Sequence, residues 1–510
     1  VSGIPGIDRL EGGTFLSSEV TSAPAADHVG THSIALFPYH RQTSVLIVIL
    51  AIAGFTRLFQ VGRSSLWYDE VVTMRLARTE SAGALLELLN RIDATRAPLH
   101  PLLLQRWISL FGPSDRSGRV FSVICGVITV FLVYWISLRA FDVPTGLWGS
   151  WLCAVSPFLV YYSREVRMYI WLTMVTCLAW GLLFSHKQSP GRLRLAVYAL
   201  AVIALLYSHP LGLLMAGTLG LASLLFHRSF QISWSEWLAI HIAIVVAVAP
   251  WVGRYFDHAP ESITGLLPLR YLLGMPIGYI GGNRWTLVVC SFLILYGLIG
   301  PVRQKLPSVP MILDHPAESL SLLLWLVVPP LSLYAYSLIA YPIFGLARYT
   351  LFVGPAFLIL VARGLAKLPW MLGLTAAGAG AILSGAMLLS DVYRPDLKAD
   401  WRDLAAYLDQ RDPFAVVAVI AADQSNQTEL ETARYYLEPG QVVIPWSSDR
   451  VNGLIRREQS VWVSISLQDG RPLVAVPASL TTGDTIQEVV DFARLRLMKV
   501  KDKQALPAGK

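Results

Sequence analysis

Ser65-Leu66-Trp67-Tyr68-Asp69-Glu70-Val71-Val72 is the stretch around which the rest of the chain is read. It sets two adjacent carboxylates just beyond the first long apolar run, where a membrane segment would meet water on its far side. A carboxylate at the bilayer centre costs roughly 2.5–3.5 kcal/mol on insertion scales, and an interfacial one costs less but still calls for a partner or a task. The plainer reading makes Trp67 and Tyr68 an interfacial aromatic belt, with the acids simply facing water. The remainder of the chain decides between the two.

A chain of 510 residues that is 54% hydrophobic and 15% charged is no single soluble globule. Its mean hydropathy of +0.53 agrees. Apolar runs of about 20 residues recur from Thr43 to Leu389, each long enough to cross the roughly 30 Å hydrocarbon core as a helix. The net charge of +7 has an ordinary source in basic residues flanking membrane helices, so nucleic acid is discounted as a partner. The 4 cysteines, Cys125, Cys153, Cys177 and Cys290, lie inside apolar runs without a CxxC pair, which indicates neither zinc nor a disulfide framework. The first 40 or so residues are polar, so no cleavable signal peptide is expected and the first membrane helix serves as the anchor.

Residues 1–42 read as a disordered cytoplasmic tail ending in the basic pair His40-Arg41. The basic groups Arg139, His186-Lys187 with Arg192 and Arg194, His227-Arg228, Arg303 with Lys305, and Arg363 with Lys367 alternate onto one side of about eleven spans. That alternation puts Asp69, Glu165, His209 and Arg348 together on the outer face. Between the first two spans, Val71 to Leu89 has the periodicity of helices lying on the membrane surface, and Leu102 to Phe111 is apolar but too short to cross. A longer outer segment, Arg254 to Asn283, carries Asp257, His258, Glu261 and Arg270. The expected fold is therefore an all-α polytopic membrane domain over 43–390, followed by a small soluble α/β domain outside the membrane over 391–510. In that second part, Lys398 to Gln410 and Thr428 to Leu437 look helical, while Ala415 to Ala421, Gln441 to Trp446 and Ser460 to Leu467 look like strands.

No P-loop, no GxGxxG after a strand, no HExxH and no GxSxG is present, which argues against an ATPase, a dinucleotide enzyme or a hydrolase of those types. What remains is a set of acids, arginines and histidines at the outer ends of membrane helices. Such a set suits chemistry on a lipid-linked phosphate: arginines grip the phosphate through paired donors, and a carboxylate takes a proton from a hydroxyl.

The segments SLWYDEVVTMRLA, APLHPLLLQRWISLFG, YYSREVRMY, YSH, ARYTLFVGPAFLILVARG and KADWRDLAAYL follow one another in this order. Together they resemble the bacterial protein-mannosyltransferase-like glycosyltransferases, multi-spanning enzymes of the GT-C fold that use polyprenyl-phosphate-linked sugars. The resemblance covers about residues 43–437. It departs from the family where a His-Pro-Pro-Leu-Tyr type segment reads Arg96-Ala97-Pro98-Leu99-His100, and where Gln-Glu-Ala-Arg reads Arg164-Glu165-Val166-Arg167.

The resemblance implies that Asp69 is the catalytic base, with Glu70 supporting the same loop as the second residue of a catalytic pair. Helix neighbours point about 100° apart, so the two do not address one substrate atom. Arg57, His100, Glu165, Arg167, His209, Arg348 and Tyr349 are the substrate-binding candidates, each with a plainer alternative where the residues offer one. Glu165 with Arg167 also fits an interfacial ion pair, His209 a helix junction before Pro210, Arg348 and Arg57 snorkelling to the interface, and Trp401-Arg402 packing between the two domains.

The expected activity is inverting transfer of one hexosyl or pentosyl unit to a glycolipid, polysaccharide or protein hydroxyl at the outer face of a bacterial inner membrane. The partners are the polyprenyl-phosphate sugar, an unidentified acceptor and membrane lipids. No cofactor is expected, with a divalent metal left open. The rivals are a transporter or flippase of a lipid-linked substrate, and a noncatalytic subunit that binds lipid phosphate.

Overall fold

The computed structural model describes residues 39–92, 97–255, 268, 270–299, 313–340, 342–344, 347–394, 397–420, 428–437, 439–455, 461–468, 471–473 and 486–500. The expected tail over 1–38 lies outside the described residues, as do Arg96, Asp257, His258, Glu261, Arg303, Lys305, Tyr341, Gly345, Leu346 and Ala421.

The first helix, α1 (Tyr39–Leu58), opens inside what reads from sequence as tail. Three shorter helices follow it before the next long one: α2 (Tyr68–Ala77), α3 (Ala82–Ile92) and α4 (Leu99–Phe111). On α3 only Leu85 and Leu89 are buried, four residues apart on one stripe, as expected of a helix lying on a surface. Helix α5 (Asp115–Ala140) starts where the Ser114 hydroxyl accepts from the Ser117 amide at 3.1 Å. The next span is broken: α6 (Val143–Val155) and α7 (Pro157–Ser163) meet at a 60° bend. Pro157 has no N–H to continue the ladder of α6, and Ser156 caps the new start by accepting from the Leu159 amide at 3.4 Å.

Helices α8 (Met168–Gln188), α9 (Arg192–Ser208), α10 (Gly212–Leu225) and α11 (Trp234–Val252) follow. After them come α12 (Arg270–Ile280), α13 (Arg284–Leu298), α14 (Pro316–Ile339), α15 (Gly354–Lys367) and α16 (Trp370–Met387). A 3-10 turn over Ala347–Val353 leads into α15. Among the described residues, 7 helices are long and apolar enough to cross a membrane, or 8 with the bent pair as one span. Helices α9, α10 and α13, of 17, 14 and 15 residues, supply the shorter segments between them.

The apolar window of the span Arg348–Lys367 is 89% buried, against 17% for that of α1 and 11% for that of α11, so α15 is the central post and the other two face lipid. Close approach to that post depends on glycine. A Cβ at Gly364 would stand 2.1 Å from the Leu293 carbonyl oxygen of α13, and one at Gly297 only 2.7 Å from the Gly364 amide nitrogen. Trp180 of α8 stacks on Trp325 of α14 at 5.2 Å in the middle of the core.

The C-terminal domain holds α17 (Trp401–Arg411), α18 (Thr428–Leu437) and α19 (Ser448–Ile455). Its strands are β1 (Val416–Ile420), β2 (Val442–Pro445), β3 (Val461–Gln468), β4 (Arg471–Pro472), β5 (Ile486–Phe492) and β6 (Leu495–Val500). The sheet runs β2-β1-β3-β6-β5, with β1 parallel to both neighbours and the β5–β6 hairpin antiparallel at one edge. The sequence reading stops at β3 and misses this hairpin. Thus the expected architecture stands: an all-α membrane domain followed by a small α/β domain.

Candidate active site

The first turn of α2 carries Asp69 and Glu70, and the helix sends them in different directions. Glu70 is fully buried. Its Oε1 accepts from Arg119 Nε and the Val166 amide, both at 3.0 Å. Its Oε2 accepts from Lys398 Nζ at 2.7 Å, Arg119 Nη2 at 3.0 Å and the Trp67 amide at 3.3 Å. Arg119, at the start of α5, also donates to the carbonyls of Ser64 at 2.7 Å, Ser65 at 3.0 Å and Val61 at 3.1 Å. Burial works to raise the Glu70 carboxyl, but Arg119 and then Lys398 outweigh it and hold the group at about 2. With both oxygens occupied by five donors, Glu70 positions the loop. Its place in a catalytic pair is therefore corrected, since it has no face left for substrate.

Asp69 points the other way, with its side chain 21% exposed. Its Oδ2 lies 3.5 Å from Arg348 Nη1 and 3.9 Å from Arg167 Nη2. Arg167, the cap residue of α8, is held in place by donating from Nη1 to Thr73 Oγ1 at 2.8 Å and to the Asp69 carbonyl at 3.1 Å. Arg348 sits among the rings of Trp67, Tyr349 and Tyr169, at 5.3, 5.7 and 5.8 Å from their centroids. Two guanidiniums against one carboxylate leave the pocket net positive.

His209 is buried at the end of α9, with its ring 5.7 Å from that of Tyr169 and 6.2 Å from that of Tyr349. Its Nδ1 accepts from the Leu211 amide at 3.0 Å, which assigns the proton of the neutral imidazole to Nε2. Burial, together with Arg167 and Arg348, lowers its pKa to about 3, so the ring is neutral at physiological pH. His100 is likewise buried and lowered to about 3, by burial and by Arg167, and it rests against Phe121 at 5.8 Å.

Several buried atoms around Asp69 lack a partner among the described residues: Trp67 Nε1, His209 Nε2 and Arg348 Nε, with His100 Nε2 nearby on the Arg167 side. An unmet buried polar group costs about 1–3 kcal/mol, so a gathering of them marks a surface built to meet something else.

The remaining sequence candidates divide. Glu165 is buried next to Glu70 and accepts from Lys398 Nζ at 3.2 Å. Burial raises its carboxyl, Lys398 opposes the shift and Glu70 adds to it. Arg57 lies outside the pocket, a correction to its reading as a phosphate ligand. It is fully buried and donates to the carbonyls of Ala154 at 3.0 Å, Cys153 at 3.1 Å and Ala53 at 3.2 Å, and to Ser163 Oγ at 3.2 Å. The break between α6 and α7 frees carbonyls at the end of α6, and Arg57 satisfies them. Arg57→Met is accordingly expected to lower stability by about 1–3 kcal/mol and leave donor affinity unchanged. Thermal unfolding and a donor-binding titration check the two halves; weakened donor binding in folded protein returns Arg57 to the pocket.

Lys398 and Arg119 are the residues that sequence reasoning missed. Lys398 precedes α17 and bridges Glu70 to Glu165, so the C-terminal domain contributes a side chain to the support of the Asp69 loop. Around it, Arg402 donates to the Gly62 carbonyl at 2.7 Å and to Asp115 Oδ2 at 2.6 Å, while Tyr436 OH accepts from the Leu66 amide at 2.6 Å. Arg75 of α2 pairs with Glu431 of α18. Trp401, expected at this junction, packs instead into the core of the C-terminal domain with Leu404 and Leu408.

Residues 95–253 match the family model described as dolichyl-phosphate-mannose-protein mannosyltransferase. Among solved structures, the apo crystal structure of ArnT from Cupriavidus metallidurans is similar at a TM-score of 0.59, over 90% of this chain and 98% of that one, at 13% identity. The same protein bound to undecaprenyl phosphate gives 0.59, with 92% and 99% covered at 13% identity. The archaeal oligosaccharyltransferase AglB from Archaeoglobus fulgidus, in complex with an inhibitory peptide and a dolichol-phosphate, gives 0.50, with 83% and 69% covered at 12% identity. No curated protein matches the chain by sequence. At such identities the structures speak for the fold, which is that of ArnT. With the match over 95–253, the resemblance to protein-mannosyltransferase-like GT-C enzymes holds.

Proposed function

We propose that this chain, a multi-pass membrane protein of the GT-C type, transfers a single sugar with inversion from a polyprenyl-phosphate-linked donor to an acceptor hydroxyl. The observation that carries the reading is the set of unpartnered buried donors around one accessible carboxylate in a net positive pocket. ArnT has been crystallised with undecaprenyl phosphate, and carrying a ligand of that class over to this chain is part of the proposal.

In the reaction, Asp69 takes the proton of the acceptor hydroxyl as its oxygen bonds to the anomeric carbon. The bond from that carbon to the phosphate oxygen breaks, and the electron pair leaves with the polyprenyl phosphate. Arg348 and Arg167 neutralise the departing phosphate, and the neutral His209 offers its Nε2–H as a hydrogen-bond donor without adding charge. No cofactor is invoked, since the lipid-linked sugar is itself a substrate. The proposed location is the outer face of a bacterial inner membrane. A transporter would need polar residues along its path, whereas these candidates gather at one end of the helices, beside the C-terminal domain.

Charge-assisted contacts to phosphate are worth roughly 1.5–3 kcal/mol, so Arg348→Ala is expected to weaken donor use by about 10- to 100-fold. Arg348→Lys should recover only part of this, because an ammonium lacks the forked geometry. Steady-state kinetics with varied donor test it; unchanged kinetics in folded Arg348→Ala remove the residue from the phosphate site. Product identification by mass spectrometry, with a panel of polyprenyl-phosphate sugars and membrane extracts, tests the activity itself. Transport of the lipid-linked sugar without a new glycosidic product refutes the transferase reading.

A further inference from the structure

The outer end of α1 is bordered by arginines that the proposed transfer does not use. A cleft of about 690 Å³ opens there, lined among others by Leu58, Gly62, Arg78, Arg116, Arg402 and Tyr436. That size is ordinary for a small-molecule site. The single carboxylate in its lining, Asp115, already accepts from Arg402 at 2.6 Å, Tyr436 at 2.7 Å and Tyr435 at 3.0 Å. Arg116 is exposed and makes no ion pair or hydrogen bond among the described residues. Arg78 donates from Nη2 to the Pro113 carbonyl at 2.6 Å and lies over the Tyr435 ring at 4.5 Å, with no carboxylate paired to it among the described residues. The cleft therefore carries uncompensated positive charge.

Directly beneath it, α1 presents an uncovered apolar face. Ile47, Val48, Phe55 and Leu58 are 60, 56, 67 and 49% exposed. At about 100° per residue these four fall within an arc of about 100°, and at 1.5 Å per residue they run for about 17 Å along the membrane-crossing helix. The surface is thus apolar over the length of an acyl chain and cationic at its end. Neither Arg348 nor Arg167 lines the cleft, so it is separate from the Asp69 pocket.

We propose that this cleft holds the phosphate headgroup of an anionic lipid from the leaflet on the side of the C-terminal domain, with its acyl chains along α1. Gly62 and Arg116 belong to the membrane domain and Arg402 and Tyr436 to the C-terminal domain, so the bound lipid bridges the two behind the loop that carries Asp69. A second lipid-phosphate site is independent of the sugar-transfer reading, because different residues make it.

The test uses full-length protein in neutral detergent, incubated with phosphatidylglycerol or phosphatidylcholine of identical chains, with bound lipid counted by native mass spectrometry. Phosphatidylglycerol should be retained in preference. Arg116→Gln should weaken that retention about fivefold, and adding Arg78→Gln should weaken it about as much again, each arginine near a lipid surface being worth about that factor. Arg91→Gln, on the exposed face of α3, should leave retention unchanged. An unaltered thermal midpoint shows that the Arg116 variant is folded. Inorganic phosphate at millimolar concentration should fail to displace the lipid. Equal retention of the two lipids, or full retention in the double variant, overturns the proposal. So does displacement by phosphate, which indicates a soluble-anion site, and so does loss of the lipid in Arg348→Ala, which puts it in the Asp69 pocket.

Discussion

Asp69→Asn, at saturating donor and with the protein folded, is expected to lose turnover by about 10²–10⁴-fold while still binding donor, the range typical for removal of a general base. Asparagine keeps the shape of the side chain but cannot accept the proton. The geometry sharpens the expectation for binding. Asp69 supplies the negative charge facing Arg348 and Arg167, at 3.5 and 3.9 Å, so removing it takes away the carboxylate that competes with the donor phosphate for the two guanidiniums. Donor affinity should hold or tighten as turnover falls, a split that a folding defect does not produce. Direct titration of donor and single-turnover measurement of product separate the two quantities. Turnover comparable to wild type would send the search for a base to Glu165, and loss of donor binding in proportion to turnover would make Asp69 a binding residue.

The membrane-domain architecture was legible because a 20-residue apolar run has few other uses, but the count was not: about eleven spans were expected, and among the described residues 7 helices, or 8 with the bent pair, are long and apolar enough to cross. Asp69 drew attention for a related reason, since a carboxylate beside Trp67 at the end of a span calls for a partner, and the structure sets Arg348 and Arg167 opposite it. Its division of labour with Glu70 was legible only in part. Adjacent positions on a helix must diverge, but which of them turns inward depends on Arg119 and Lys398, and these lie 49 and 328 residues away in the chain. No local spacing links Glu70 to either. Arg57 was misread because an arginine near a helix end looks like a phosphate ligand until the break at Pro157 exposes carbonyls that need it. That break was visible as Ser156-Pro157 within an apolar run, so the signal existed and went unread. The β5–β6 hairpin was missed because β5 is half-exposed and interleaves Glu488 and Asp491 with Ile486, Val489 and Val490, which dilutes its apolar pattern.

The support beneath Asp69 leads to the second large effect, which is on stability. Breaking a buried ion pair by removing one partner typically costs about 3–5 kcal/mol, because the other charge stays buried and uncompensated. Arg119→Met is expected to cost that much, leaving Glu70 with Lys398 as its one cationic partner among the described residues and the carbonyls of Val61 and Ser65 without the donor that Arg119 supplies. Glu70→Gln should also destabilise, through the two cations it leaves behind. The double variant Arg119→Met/Glu70→Met should recover much of the thermal midpoint lost in Arg119→Met, since an apolar pair of similar size avoids the desolvation of both charges. The sign of the pH dependence follows from Glu70. Its carboxyl is held at about 2 in the folded protein against an ordinary 4.5, so the folded state favours the ionised form. The stability this contributes is fully present above about pH 4.5 and is lost as pH falls towards 2. Wild-type thermal midpoints should therefore decline over that window more steeply than those of Glu70→Gln. Parallel acid profiles for the two proteins, or a double variant no more stable than Arg119→Met, would mean that this ion pair does not hold the loop. In that case the placement of Asp69 must rest on the Arg167 and Thr73 contacts alone.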